Sequence, residues 1–168
     1  MARCGFAGTI NRFIELCDSN EIAGLIRDQI SPNMRTDNNE FGSWRDGLLK
    51  LSNDLTLCIR EQPMIGELHI ALELTFDNQS RADVVICGTD ETGCGVFFVL
   101  ELKQWSQETI EESLKQGMLR ALVGGSRVEE VHHPSLQAQA YARSIQSSNA
   151  CENSRFISGS YLPNMVQN

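Results

Sequence analysis

The stretch VVICGTDETGCGVFFVLELKQW, residues 84–105, predicts the centre of a β-sheet. Two runs of β-forming residues flank a polar turn that contains glycine, which is the pattern of a β-hairpin. The second run does not end in apolar residues, because Glu101 and Lys103 stand two positions apart on one side of the predicted strand. An acid and a base on a strand with the composition of protein core indicate a chemical role.

The predicted register of this hairpin decides which side chains meet. In an antiparallel hairpin, the position numbers of facing residues have a constant sum, and facing side chains project to the same side of the sheet. A turn centred on Thr92 gives a sum of 184. Asp83 is then expected to face Glu101, and Arg81 is expected to face Lys103.

A strand before this hairpin, starting at about residue 67, adds a third carboxylate. Its apolar residues occupy every second position, which is typical of a half-buried strand: Leu68, Ile70, Leu72 and Leu74. A turn centred on Asn78 gives a sum of 156, so that Glu73 is expected to face Asp83. Glu73, Asp83 and Glu101 should therefore lie side by side on three neighbouring strands.

Three adjacent carboxylates are unfavourable without a counter-charge. At about 5 Å and an effective dielectric near 20, each pair of them repels by roughly 3 kcal/mol. Carboxylate oxygens grouped in this way suit Mg²⁺ or Mn²⁺, and Lys103 could orient a water molecule or stabilise developing charge. The simpler alternative is that these residues form the solvated polar side of a strand.

The rest of the pattern predicts an α/β fold, with a mixed sheet whose first three strands are antiparallel and with helices packed on it. We expect helices over 22–30, from Ser43 to Ile59, over 110–118 and over 136–146, and a last strand near Phe156. A capping-box pattern, Ser43-x-x-Asp46, predicts the start of the second helix. Its apolar stripe contains Trp44, Leu48, Leu51, Leu55 and Ile59.

Length and composition indicate one domain over residues 1–168, with a core at about 40–165 and an N-terminal helical extension over 1–35. The chain has no apolar run of membrane-spanning length and no signal-peptide pattern, so we expect a cytoplasmic protein that does not associate with a membrane. The six cysteines predict reduced thiols, most of them in the core. A net charge of −8 argues against a domain that holds long nucleic acid by itself.

Asp83, followed after seventeen residues by Glu101-Leu102-Lys103, resembles the signature of the restriction-endonuclease-like PD-(D/E)xK nuclease superfamily. Ala82 stands where that signature often has proline. Downstream, Gln137 and Tyr141 share a helix face. This pair is similar to the Q-x-x-x-Y motif of the RecB-like exonuclease branch.

Longer segments resemble the N-terminal nuclease-like domain of bacterial Schlafen-type superfamily I helicase proteins. They are EFGSWRDGLLKL at 40–51, VLELKQW at 99–105 and GGSRVEEVHHPSLQAQAYA at 124–142. This resemblance implies that the metal is bound by Asp83, Glu101 and the backbone carbonyl of Leu102. It implies that Lys103 is catalytic and that Glu73 is an accessory acid. It also implies that the site is completed by Gln137 and Tyr141.

The resemblance implies a Mg²⁺- or Mn²⁺-dependent nuclease that acts on nucleic acid, most directly on DNA, and a role in phage defence. No Walker motif is present, so the chain is either a standalone relative or an excised domain that works with a helicase domain or subunit. Only Cys151 follows Tyr141, so we expect no iron–sulfur cluster. The alternatives are an inactive nuclease fold that binds nucleic acid or a helicase, and a regulatory subunit that could be a homodimer.

Overall fold

We describe the fold from a computed structural model. The description covers residues 3–30, 38–76, 80–106, 109–123, 127–147 and 153–164, with the backbone alone at 38–41, 43 and 44. The chain forms, in order, β1 (Phe6–Thr9), α1 (Ile10–Asp18), α2 (Ile22–Ile30), α3 (Asn38–Glu61), a short 3₁₀ helix (Pro63–Glu67), β2 (His69–Thr75), β3 (Arg81–Thr89), β4 (Gly95–Leu102), β5 (Ile110–Glu112), β6 (Met118–Val123), β7 (Arg127–His132), α4 (Pro134–Gln146) and β8 (Arg155–Tyr161).

Five strands form the main sheet in the order β1-β2-β3-β4-β8. The first four strands run antiparallel to their neighbours, and β8 lies parallel to β4 at the edge. This arrangement confirms the predicted α/β class with an antiparallel three-strand start and a last strand near Phe156. A second, antiparallel sheet contains β5, β6 and β7.

Both predicted hairpin registers are confirmed for the residues that pair, but the expected pairs Glu73–Asp83, Asp83–Glu101 and Arg81–Lys103 are not among the ladder pairs. Leu72 pairs with Val84 and Thr75 with Arg81, as the sum of 156 requires. Val84 pairs with Leu100, as the sum of 184 requires. The turn between β3 and β4 explains why the second register was predictable, because local polar groups and a left-handed glycine fix its centre.

The main sheet has apolar clusters on both faces. One cluster joins the sheet to helices α1, α2 and α3 and contains the fully buried Phe13, Ile26 and Leu72. The other joins the sheet to α4 and contains Val85 and Ala142. The central strands are therefore buried on both sides, and α4 covers the second of the two faces.

The N-terminal segment packs in the main core. The predicted helix over 22–30 is confirmed as α2, and α1 precedes it. No sequence pattern predicted β1, a four-residue strand that pairs with β2. Ile10 and Phe13 are fully buried, so residues 6–30 supply a sheet edge and core where the pattern predicted an extension.

Helix α3 begins earlier than predicted. It starts at Asn38, so Ser43 lies inside the helix and does not begin it. Leu48 and Leu51 are buried as the apolar stripe predicts, while the side chain of Trp44 lies outside the described residues. The stripe is confirmed for its described members, and the capping-box pattern does not begin the helix.

The predicted helix over 110–118 is wrong. The segment forms β5 and the start of β6, with Ile110 paired to Ala121. Gly117 adopts a left-handed φ of 76° in the connecting turn, a conformation that glycine tolerates and that a helix does not use. Leu114, which the helical pattern placed on an apolar face, is fully exposed.

The cysteines differ from the prediction in position. Among the five that the structure describes, only Cys17 is buried. Cys58 and Cys94 are exposed, so the expectation that most lie in the core is wrong. Cys151 lies outside the described residues.

Candidate functional site

The site begins with a backbone irregularity in β2. Glu73 has a φ of 55°, in the left-handed region that a side chain with a Cβ rarely occupies. Leu72 and Val84 pack in the cluster under α1–α3, whereas Leu74 and Ala82 pack in the cluster under α4. The side that even-numbered residues face therefore changes at Glu73 in β2 and at Asp83 in β3. Such strained residues concentrate at functional sites.

The acid of β3 is tied directly to the neighbouring strand. The N–H of Leu102 donates a hydrogen bond to Asp83 Oδ2 at 2.8 Å. Burial raises the pKa of Asp83 above its ordinary value, while the Leu102 N–H and the charges of Lys103 and Arg81 act in the opposite direction. The predicted meeting of Asp83 with the Glu101–Lys103 segment is thus present in the fold.

The acid of β4 is the most deeply buried of the predicted ligands. Glu101 is 3 % exposed, and its Oε1 accepts a hydrogen bond from Lys103 Nζ at 2.6 Å. Its Oε2 is buried and accepts no hydrogen bond from the residues that the structure describes. Burial, followed by the negative charge of Asp83, raises the pKa of Glu101 to about 7. This second oxygen is an acceptor for which the described protein supplies no donor.

Lys103 is held at both ends. Its backbone N–H donates to Tyr161 O at 3.1 Å, which fixes the residue just past the end of β4. Its Nζ donates a hydrogen bond to Glu101 and lies 6.0 Å from the centre of the Trp105 ring. An ammonium group within this distance of an aromatic face is attracted by it. The amine is therefore positioned beside the carboxylates.

A second cation at the site was not predicted as a site residue. Arg81 forms an ion pair with Glu73, which is buried. Arg81 also exerts an electrostatic effect on Asp83 and Glu101. The sequence contained a signal for it, because the predicted register placed Arg81 opposite Lys103.

Helix α4 supplies the remaining predicted residues. Its N-cap is His133, whose Nδ1 accepts a hydrogen bond from the Ser135 N–H at 3.2 Å, so the helix begins two residues before the predicted position. Burial raises the pKa of Tyr141, with further contributions from the charges of Glu101 and Asp83. The fold thus brings Tyr141 to the acids.

Gln137 lies one turn before Tyr141 on the same face of α4 and is half-buried. Tyr141 stacks on Phe76, with ring centres 6.0 Å apart. Within the described part of the chain, neither the side-chain amide of Gln137 nor the hydroxyl of Tyr141 makes a hydrogen bond. Both polar groups are therefore available for a ligand.

The donor set suits a hard divalent cation, although the acids are not arranged around one. Among the residues that the structure describes, no three acidic, histidine or cysteine side chains form a ligand set for a metal ion. Ion pairs with Arg81 and Lys103 hold two of the three carboxylates. An ion would bind first to the buried Oε2 of Glu101 and to the carboxylate oxygens of the adjacent Asp83. The role of the Leu102 carbonyl stays a prediction, since the described contact of Leu102 is through its N–H.

Comparisons with protein-family models, with curated proteins and with solved structures find no match for this chain. Among the described residues, no helix has the length and apolar character needed to cross a membrane.

Proposed function

We propose that this chain is a Mg²⁺- or Mn²⁺-dependent nuclease that hydrolyses phosphodiester bonds, most directly in DNA. The observation that carries the proposal is the group formed by Asp83, Glu101 and Lys103 at the end of the β3–β4 hairpin. Antiparallel strands β2–β4, followed by α4 and the parallel strand β8, are compatible with a restriction-endonuclease-like sheet.

The metal would be held by Asp83, Glu101 and the backbone carbonyl of Leu102. When bound, such an ion lowers the pKa of a coordinated water molecule and neutralises charge on the phosphate. The buried Oε2 of Glu101, which accepts no hydrogen bond from the described residues, supports this assignment. Lys103 already donates to the other oxygen of this carboxylate, and a metal ion at Oε2 would favour its charged form further.

The protein's own groups supply the remaining functions. Lys103 Nζ, 2.6 Å from Glu101, orients the attacking water and stabilises negative charge that develops on the phosphate. Tyr141 and Gln137 project from one face of α4 and bind the substrate. Glu73 acts as an accessory acid that is paired with Arg81.

One observation favours a different function. The net charge is −8, and Arg81 and Lys103 neutralise two of the site's carboxylates without a metal. These features suit an inactive nuclease fold that binds nucleic acid weakly or positions a helicase subunit. The two functions differ in whether Lys103 is required for cleavage.

Cleavage of labelled single- and double-stranded DNA with Mn²⁺ separates them. The wild type is compared with Lys103→Met, which keeps most of the apolar stem of the side chain, and with Lys115→Met, which removes an exposed lysine paired to Glu130 in the second sheet. Loss of Lys103 should reduce the rate by about 10²-fold or more, and loss of Lys115 should not change it. Equal rates in all three proteins would defeat the catalytic proposal.

Metal binding is tested independently by titration calorimetry with Mn²⁺ alone. Asp83→Asn should abolish the binding heat, because it removes a predicted ligand. Asp90→Asn is the matched control, since Asp90 lies in the β3–β4 turn and accepts hydrogen bonds from Thr92 and Cys94 within it. Binding that survives in Asp83→Asn would contradict the assigned ligands.

A further inference from the structure

Arg81 occupies a special position relative to the carboxylates. It is the first residue of β3, it pairs with Thr75 across the sheet, and it precedes Asp83 by two positions. Its guanidinium forms an ion pair with Glu73. The side chain of Glu73 is 6 % exposed and that of Arg81 is 33 % exposed. Arg81 therefore reaches from a buried carboxylate to the surface beside the site.

A divalent ion would add positive charge to a site that already contains two cations. Arg81 and Lys103 form ion pairs with Glu73 and Glu101. A site loaded in this way would attract an anion more strongly, and the Arg81 side chain, which is 33 % exposed, reaches solvent beside it.

Resting on the proposed nuclease function, we propose that Arg81 binds a backbone phosphate of the nucleic acid next to the cleaved bond. A guanidinium has several N–H donors in a planar fork, so it can donate hydrogen bonds to a carboxylate and to a phosphate oxygen at the same time. The ion pair with Glu73 orients the fork before the substrate arrives. Arginine is well suited to this task because its contacts with phosphate are charge-assisted and frequently bidentate.

A purely structural role for Arg81 makes a different prediction. If Arg81 only balances the buried charge of Glu73, its removal lowers stability and leaves the contacts with DNA unchanged. The two roles can be separated by the salt dependence of binding. Each phosphate that a protein neutralises in duplex DNA contributes about 0.9 to the slope of log affinity against log salt concentration.

The experiment measures binding of a labelled DNA duplex by fluorescence anisotropy over a series of salt concentrations, with Ca²⁺ in place of Mn²⁺ to prevent cleavage. Arg81→Gln should weaken binding about tenfold and reduce the slope by about 0.9. Arg120→Gln is the matched control, because Arg120 is an exposed arginine paired with Glu111 in the second sheet. It should leave both quantities unchanged.

A second pair of variants covers the case in which Arg81→Gln does not fold. The double variant Glu73→Gln/Arg81→Gln leaves no buried carboxylate without a partner, and it is compared with Glu73→Gln alone. The same decrease in slope is expected between these two proteins. An unchanged slope in both comparisons overturns the phosphate contact.

The outcome for the wild type keeps this inference distinct from the proposed function. A wild type that neither binds DNA with Ca²⁺ nor cleaves it with Mn²⁺ overturns the nuclease proposal and the Arg81 contact with it. A wild type that binds and cleaves, with Lys103 required and the slope independent of Arg81, overturns only the Arg81 contact. Cleavage together with the expected change in slope supports both.

Discussion

Replacing Glu101 by glutamine in the metal-free protein should remove a pH dependence of stability. The pKa of Glu101 rises from 4.5 to about 7 in the fold, mainly through burial. The folded state therefore holds this proton more tightly than the unfolded chain does. The resulting stabilisation is complete below pH 4.5 and is lost as the pH rises through about 7. Each pKa unit corresponds to about 1.4 kcal/mol, so the loss is about 3 kcal/mol.

Urea unfolding with EDTA, at a series of pH values from about 4.5 to 8, measures this effect. The free energy of unfolding of the wild type should fall by about 3 kcal/mol more than that of Glu101→Gln over this range. Glu130→Gln is the control, because hydrogen bonds from Lys115 and Ser113 lower the pKa of that exposed carboxyl. Its contribution changes only below the range, so this variant should follow the wild type. A parallel pH dependence in wild type and Glu101→Gln would refute the reasoning.

Three further predictions concern the fold. Phe13→Ala should lower the free energy of unfolding in urea by about 3–5 kcal/mol, because Phe13 is fully buried in the main core; a loss below about 1 kcal/mol would mean that the N-terminal helices are not core. Tyr161→Phe should lower it by about 1 kcal/mol through loss of the 2.5 Å hydrogen bond to Asp54. The same substitution should have no effect in an Asp54→Ala background, and an equal loss there would exclude the bond as the cause. Gly117→Ala should lower the melting temperature, because alanine is strained at a φ of 76° and its methyl group would lie 2.9 Å from Leu136 Cδ1; an unchanged melting temperature would contradict the turn.

The register of the main hairpin could be predicted because its turn is determined locally. Asp90 Oδ1 accepts hydrogen bonds from the N–H groups of Thr92 and Cys94, and Gly93 takes a φ of 81°. Aspartate and glycine are the residues that such a turn requires. Once the turn centre was known, the meeting of Asp83 with the end of β4 followed from the alternation of the strands.

Other parts of the fold depend on contacts that no local pattern contains. β1 has four residues and is a strand because β2 offers it a sheet edge. The 110–118 segment has apolar residues at helical spacing, and the turn at Gly117 together with pairing to β6 overrides that spacing. Tertiary pairing therefore decided both elements.

The sequence predicted which residues form the site better than it predicted their conformation. The charged residues on β3 and β4 were named from spacing, but the left-handed backbone at Glu73 has no sequence signal, since glutamate rarely adopts it. The ion pair of Glu73 with Arg81 follows from that local geometry. Spacing thus identified the acids and Lys103, and the pairing of Glu73 with Arg81 was found only in three dimensions.

The parallel pairing of β8 with β4 has a consequence for synthesis of the chain. Parallel neighbours require a crossover, and here it comprises residues 103–154. While the ribosome is still translating that crossover, the strand that carries Glu101 is an open edge, and the Lys103 N–H has not yet met Tyr161 O. Under the proposed function, a nascent polypeptide therefore lacks the backbone bond that fixes its catalytic lysine until β8 has docked.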